Sequence, residues 1–187
     1  MVYVYIHCVL IADFITGFVH WFEDTYITPD WPILGQHVGL PNIEHHKHPG
    51  WIVTMSSFVS RNIQTFSMGI VFLITCFFFY GLMFPVVFTV VLAALGNEIH
   101  TWNHRSRKHN PWWIRLLQDT CIIQTPHQHA KHHRKPYDTC YCTITNFLNP
   151  ILDMTKFWRG LEYIIWLVTG AEVQRGGMKR DGVWVHN

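Results

Sequence analysis

Residues 124–149 read QTPHQHAKHHRKPYDTCYCTITNFLN, and histidines dominate the first half of this stretch. In its HAKHH segment, His129, His132 and His133 are three and four residues apart, so they share one face of a single helical turn. Three imidazoles on one face can converge on a small volume, which is the arrangement that a metal ion needs. The alternative is a solvated basic patch, because lysines and an arginine lie among these histidines.

Histidines at ligand spacing recur in three other parts of the chain, and they favour metal binding over a basic patch. The segments are HWFED, EHHKHP and NEIHTWNH. A structural zinc site closes with four ligands, so eight histidines predict a two-metal centre with about four imidazoles at each metal. Iron accepts imidazole readily, while zinc, manganese and copper remain open on ligand type alone. The eight candidate ligands are His20, His45, His46, His100, His104, His129, His132 and His133.

Composition favours a membrane protein. The chain has 187 residues, of which 49% are hydrophobic and 14% are charged, whereas about a quarter are charged in a typical soluble domain. The net charge of +2 comes from dispersed basic residues, which argues against nucleic-acid binding. Five cysteines are too scattered for a disulfide framework. Cys140 and Cys142 could in principle bind zinc, but packing is the favoured interpretation because no second cysteine pair accompanies them.

Long apolar runs predict an all-α integral membrane protein with about three transmembrane helices. Two mixed segments rich in tryptophan predict additional amphipathic helices in the membrane interface. The stretch 25–49 is rich in proline and glycine and predicts a loop. We expect one domain over 1–170 and a polar tail over 171–187. The predicted spans are 2–21, 63–80 and a third run that ends near 100, and the predicted interfacial helices are 111–123 and 154–168.

The order of the spans predicts where the histidines lie. Three crossings bring all the paired histidines to one membrane face, and every lysine and arginine, from Lys47 to Arg180, is expected on that same face. By the positive-inside tendency this face is cytosolic. Asp13 lies within the first span, and an ionisable residue at that depth is either functional or hydrogen-bonded to another helix.

The motifs also resemble a known family. ADFITGFVHWFEDT, EHHKHP, NEIHTWNH, LLQDTCIIQTPHQHAKHHRKPY and YCTITNFLN are similar to the motifs of the Kua family of membrane lipid desaturases, and the likeness runs from Ala12 to Gly170. The family's histidine motifs fall on the same eight histidines. The resemblance implies a desaturase that uses O2, two iron ions and electrons from a small electron-transfer protein, either cytochrome b5 or ferredoxin. It also implies a membrane glycerolipid substrate and an endoplasmic reticulum-like or plastid-like membrane.

The resemblance further implies roles for three carboxylates. Asp24 matches the aspartate of the family's HWxxD motif, and Asp24, Glu44 and Glu98 would orient imidazoles or relay protons. Glu98 stands where the ether-lipid branch of the family has Gln, and the HHKHP and HAKHHRKPY motifs are closer to the palmitate branch. Ether-linked and acyl substrates therefore both remain open, as does the oligomeric state. The alternatives are a lipid hydroxylase of the same di-iron class and a non-catalytic metal-binding membrane protein.

Overall fold

The computed structural model describes residues 2–54, 58–175, 178–180 and 183–185. Its main helices are α1 (Val2–Tyr26), α4 (Phe58–Tyr80), α5 (Phe84–Ala94) and α6 (Gly96–His104), and α5 and α6 meet at Leu95. Three stretches are long and apolar enough to cross a membrane, namely Val2–Tyr26, Arg61–Phe79 and Phe84–His104. The predicted all-α membrane fold with three spans is confirmed. The first and third helices run further than the apolar runs suggested, and these extra turns carry Asp24 and His104.

Short helices fill the rest of the chain. They are α2 (Leu40–Lys47), α3 (Trp51–Thr54), α7 (Trp112–Asp119), α8 (Pro126–His129), α9 (Asn149–Met154) and α10 (Phe157–Thr169), with a π-helical turn at Gly35–Gly39 and a 3-10 turn at Arg107–His109. Helices α7 and α10 occupy the two segments predicted to be interfacial, and Trp112 and Trp166 are exposed on them. At the chain end, β1 (Met178–Arg180) and β2 (Val183–Val185) pair antiparallel.

The stretch predicted to be a loop, 25–49, is instead largely helical. Pro41 lies in the first turn of α2, where a helix does not need the backbone N–H that proline lacks. Gly35 allows a close approach of two backbones, because a Cβ there would lie 2.3 Å from the carbonyl oxygen of Pro29. Pro41 and Gly35 both indicated a loop. Pro41 instead starts α2, and Gly35 lets the turn before α2 pack closely against the residues that follow α1.

Helix packing brings the ends of α1 and α6 together. α1 packs against α5, and α4 packs against α5 and α6. Ala12 of α1, Ile99 of α6 and Ile144 form one buried cluster. Most of α4 presents exposed apolar side chains, which suits a helix that faces lipid.

Residues 139–145 form a buried segment without helical structure that lies against α1. A Cβ at Gly17 would lie 2.6 Å from Sγ of Cys142, so glycine permits this contact. Asp13 holds the same segment, because its Oδ1 accepts hydrogen bonds from the backbone N–H groups of Ile144 and Thr145, both at 3.0 Å. The buried carboxylate of Asp13 thus binds a loop backbone, where one expectation had been a hydrogen bond between helices.

Candidate metal centre

The eight predicted histidines lie together in two groups. Within each group, one potential ligand atom from every residue lies within 4.8 Å of the others. The first group contains only imidazoles, and the second contains three imidazoles and one carboxylate. The first is His45, His100, His104, His129 and His133, and the second is His20, Asp24, His46 and His132.

Neighbouring histidines are divided between the two groups. His45 and His46 are adjacent on α2, and successive helical side chains diverge by about 100°, so each points to a different group. The same holds for His132 and His133 in the turn after α8. His129, His132 and His133 do lie close together, with ring centroids 5.0–5.6 Å apart, but His132 joins the second group while the other two belong to the first.

The first group has the spacing of a ligand shell. The Nε2 atom of His100 lies 2.8 Å from Nε2 of His129 and 3.0 Å from Nε2 of His104. Nε2 of His133 lies 3.2 Å from that of His104 and 3.3 Å from that of His129. Imidazole nitrogens about 2.0–2.1 Å from a shared metal ion are themselves separated by about 3 Å. These four nitrogens therefore match the separation of ligands on one ion.

Electrostatics keep the imidazoles of this group in the form that binds metal. Burial, followed by the neighbouring imidazoles, lowers the pKa of His45 and His129 well below the usual histidine value. The same causes lower the pKa of His133. A neutral imidazole has a free lone pair, whereas a protonated one cannot bind a metal ion.

Asp24 is the centre of the second group. Its Oδ1 lies 3.1 Å from Nε2 of His46, and its Oδ2 lies 3.1 Å from Nε2 of His132 and 3.7 Å from Nε2 of His20. The Asn42 side chain donates a further hydrogen bond to Oδ1. Four imidazoles at each metal had been expected, whereas the structure groups five in one place and three with a carboxylate in the other.

Two backbone carbonyls orient the imidazoles of the second group. Nδ1 of His20 lies 3.0 Å from the carbonyl oxygen of Tyr141, and Nδ1 of His132 lies 2.9 Å from that of Thr139. A carbonyl oxygen only accepts, so both Nδ1 atoms carry the hydrogen and both Nε2 atoms present a lone pair. These two Nε2 atoms and Oδ2 of Asp24 are buried without a hydrogen-bond partner in the described structure. A metal cation between them satisfies all three atoms, so the residues fit a metal ion.

The side chains that hold the segment carrying these carbonyls, at Cys142 and Thr143, were not identified from the sequence. The backbone N–H of Cys142 donates to Oδ1 of Asn149, and the Asn149 amide donates back to the carbonyl of Cys142, both at 2.9 Å. Gln124 donates to the same carbonyl at 3.0 Å, and Asn103 donates to the carbonyl of Thr143 at 2.9 Å. Buried amides beside a segment without regular structure were the available signal, because polar side chains must satisfy the backbone of such a segment.

Arg175, which follows α10, stabilises the same region. Arg175 donates from Nε to the hydroxyl of Tyr141 at 2.9 Å and forms a salt bridge with Glu162. The Glu162 carboxylate also accepts from Nε1 of Trp21 at 2.8 Å. This network connects α1 and α10 to Tyr141, the residue whose backbone carbonyl faces His20.

Of the three predicted carboxylates, the structure brings only Asp24 to the imidazoles. Glu44 forms a salt bridge with Lys47 at 3.0 Å on the surface. Glu98 forms a salt bridge with Arg61 at 2.9 Å and accepts from Nε1 of Trp102 at 3.1 Å. These contacts give no support to a direct role for Glu44 or Glu98 in orienting an imidazole.

Other candidate ligands lie outside both groups. His48 and His127, which neighbour the ligands in sequence, are exposed. Cys140 directs its Sγ to Oδ2 of Asp153 at 3.3 Å, and Cys142 packs against Gly17. Neither cysteine belongs to a potential metal group among the described residues, in agreement with the packing interpretation.

Comparison with known proteins gives the family. Residues 9–175 match the model of the lipid desaturase domain. Plasmanylethanolamine desaturase 1 of Mus musculus is 31% identical over 182 residues, which cover 91% of this chain and 66% of that protein. Plasmanylethanolamine desaturase of Myxococcus xanthus is 32% identical over 174 residues, which cover 86% of this chain and 59% of that protein. The chloroplastic fatty acid desaturase 4 of Arabidopsis thaliana is 27% identical over 183 residues, which cover 94% of this chain and 54% of that protein.

The chain spans between about half and two thirds of the length of these three relatives. No solved structure matches it. The matched residues 9–175 include every member of both potential metal groups and all three candidate membrane spans except the first turns of α1. The chain therefore belongs to the lipid desaturase family.

Proposed function

We propose that the chain is a di-iron, O2-dependent desaturase that introduces a double bond into an alkyl or acyl chain of a membrane glycerolipid. The observation that carries this proposal is the pair of imidazole groups, to which two helices long and apolar enough to cross a membrane contribute His20, His100 and His104. Relatives named for plasmanylethanolamine and for fatty acids support a lipid substrate, and they leave the ether-linked and acyl alternatives both open.

The proposed ligands follow the two groups. His45, His100, His104, His129 and His133 would hold one ion, and His20, Asp24, His46 and His132 would hold the other. Bound iron would supply the oxidising power that acid and base side chains lack, since an unactivated C–H bond has no acidic proton.

The protein's own residues contribute orientation and exclusion of water. The Tyr141 and Thr139 carbonyls fix the His20 and His132 rings, and such outer contacts raise the basicity of a ligand. His129 and His132 are fully buried, which keeps solvent away from the reacting centre. Electrons would come from a small electron-transfer protein of the cytochrome b5 or ferredoxin type. By the positive-inside tendency, the histidine face would be cytosolic in an endoplasmic reticulum-like or plastid-like membrane.

Whole-lipid mass spectrometry tests the proposal. The chain is expressed in cells that lack ether-lipid desaturase activity, next to a His104→Ala variant. Lipids lighter by two hydrogens are expected only with the unmutated chain. A vinyl ether assigns an ether-linked substrate, and an alkene in an acyl chain assigns an acyl substrate. A product heavier by one oxygen assigns a hydroxylase instead. No new lipid with either electron donor, together with zinc in the purified protein, supports the non-catalytic alternative.

A further inference from the structure

A surface pocket of about 400 Å³ lies beside the turn that carries HAKHH, residues 129–133. One wall comes from residues 131–140 and the other from residues 146–153. Its volume lies within the range of pockets that bind small molecules. None of the residues that line it belongs to the two potential metal groups, so the pocket is a separate site.

Three cations line the first wall. Lys131, Arg134 and Lys135 are exposed, and none of them forms a salt bridge within the described part of the chain. Unpaired cations around a concave surface attract an anion more strongly than the same cations on a flat surface. Lysine and arginine also supply the hydrogen-bond donors that phosphate oxygens accept.

The two carboxylates that line the pocket are already engaged. Oδ2 of Asp138 forms a salt bridge with Arg159 at 3.2 Å. The Asp153 carboxylate accepts from the backbone N–H of Cys140 at 3.2 Å and from its thiol at 3.3 Å. Burial raises the pKa of Asp153 from its usual range. The uncommitted charge of the pocket is therefore positive.

Apolar side chains beside the second wall favour a lipid over a soluble anion. Phe147, Ile151 and Met154 lie on the segment that forms this wall, and they are 58%, 53% and 79% exposed. Exposed apolar groups next to cations are the pattern of a surface that lies at the boundary of headgroups and acyl chains. A phosphate would lie against the cations while the start of a hydrocarbon chain covers the apolar residues.

We propose that this pocket binds the phosphodiester headgroup of a membrane glycerophospholipid through Lys131, Arg134 and Lys135. The identification of that lipid as the substrate rests on the proposed desaturase function. Lys131 and Arg134 are next in sequence to His132 and His133, so a headgroup bound here lies close to the metal groups. The pocket would then select phosphate-containing lipids over neutral glycolipids.

Calorimetric titration of the purified full chain in neutral detergent tests this pocket without any turnover. The probes are dihexanoyl phosphatidylethanolamine, dihexanoylglycerol and inorganic phosphate. We expect the phospholipid to bind and the double variant Lys131→Gln/Arg134→Gln to weaken it at least about tenfold, because charge-assisted hydrogen bonds to the phosphate are lost. The control Lys108→Gln/Arg115→Gln removes the same charge from cations outside the pocket and should bind as the unmutated chain does.

A second measurement needs no variant. Raising the salt concentration should weaken phospholipid binding by the unmutated chain, because salt screens exposed charges.

Equal binding of dihexanoylglycerol, or phospholipid binding that neither salt nor the double variant changes, overturns the proposal. Inorganic phosphate that binds as tightly as the phospholipid makes the pocket a site for a free anion. A glutamate-rich peptide that outcompetes the phospholipid makes it a surface for an acidic protein. Both outcomes also overturn the lipid assignment.

The binding measurement tests the pocket, and the activity measurement tests the proposed function. A chain that binds the phospholipid through these cations but yields no desaturated lipid supports the pocket and contradicts the proposed function. A chain that desaturates lipid with unchanged rate and headgroup preference in the double variant contradicts the pocket and leaves the proposed function standing.

Discussion

Nδ1 of His20 lies 3.0 Å from the carbonyl oxygen of Tyr141, although 121 residues separate them in the chain. The ring that faces Asp24 is therefore oriented by a backbone group on a distant segment. That segment is itself held by buried amides and by Arg175. Changes well away from any ligand should consequently alter the affinity for metal.

Asn149 provides the clearest case of such a distant effect. Asn149→Ala leaves the buried N–H of Cys142 without an acceptor, which costs about 1–3 kcal/mol of stability. We expect metal affinity to fall about tenfold to a hundredfold, as for other residues that position ligands. Competitive titration with a chelator measures it. Asn146→Ala, a neighbouring amide without these two bonds, should bind metal normally, and equal losses in both variants would contradict the role.

Single histidine substitutions should separate the two groups. His104→Ala removes a ligand of the first group and His132→Ala a ligand of the second. Each should reduce bound iron from about two ions per chain towards one, because each substitution removes one imidazole from a group whose ligand atoms lie within 4.8 Å of one another. Elemental analysis of purified protein gives the ratio. His48→Ala and His127→Ala change exposed histidines outside both groups and should retain full iron and activity. Retention of both ions after His132→Ala would remove that residue from the ligand set.

Asp24 and Glu44 differ in what their substitution should do. Asp24→Asn preserves the shape but removes the charge that faces three imidazoles, so iron content and lipid product should both fall at least about tenfold. Glu44→Gln breaks only a surface salt bridge with Lys47, which contributes about 0–1 kcal/mol, and activity should persist. Lipid profiling and iron analysis of the two variants check both expectations. The reverse result, an inactive Glu44→Gln with an active Asp24→Asn, would restore the role first predicted for Glu44.

Asp13 should matter for folding more than for chemistry. Asp13→Ala removes the acceptor of two backbone N–H groups and of the Thr145 hydroxyl, so we expect a loss of about 2–5 kcal/mol of stability. Thermal unfolding in detergent should show a lower midpoint in both the metal-loaded and the metal-free protein. Asp119→Asn, which alters an exposed pair with Arg107, is the control. An unchanged midpoint with lost activity would assign Asp13 to the reaction instead.

Cysteine alkylation should follow pH in a defined direction. Burial and the Asp153 carboxylate raise the pKa of Cys140 to about 11, and burial raises the pKa of Cys142 as well. The thiolate is the reactive form, so at pH 8 iodoacetamide should label exposed Cys121 and leave both of these unmodified. Labelling of Cys140 should increase about tenfold per unit as the pH rises towards 11. Mass spectrometry after proteolysis gives the extent, with unfolded protein as the reference. Rapid labelling of Cys140 at pH 8 would contradict its burial.

Much of this architecture could be predicted from local patterns. Length and apolarity were enough for the three spans, and spacings such as that of His100 and His104 were enough to select all eight histidines that the structure brings together. The assignment of His132 to the second group could not be predicted, because it depends on the direction from which α1 approaches the turn after α8. The role of Asn149 was hidden for a similar reason, since only the folded chain shows which backbone groups need a buried partner.

The bonds of Asp13 also bear on the order of events during synthesis. Its partners Ile144 and Thr145 are 131 and 132 residues further along the chain, so the ribosome makes them only after α1, α4, α5 and α6 have been completed. Until then α1 carries an unsatisfied carboxyl group at a depth where such a group is costly. Stable insertion of the first helix is thus completed late, when residues 139–145 return to it. We therefore expect a nascent chain that stops before this segment to hold its first helix less stably in the bilayer.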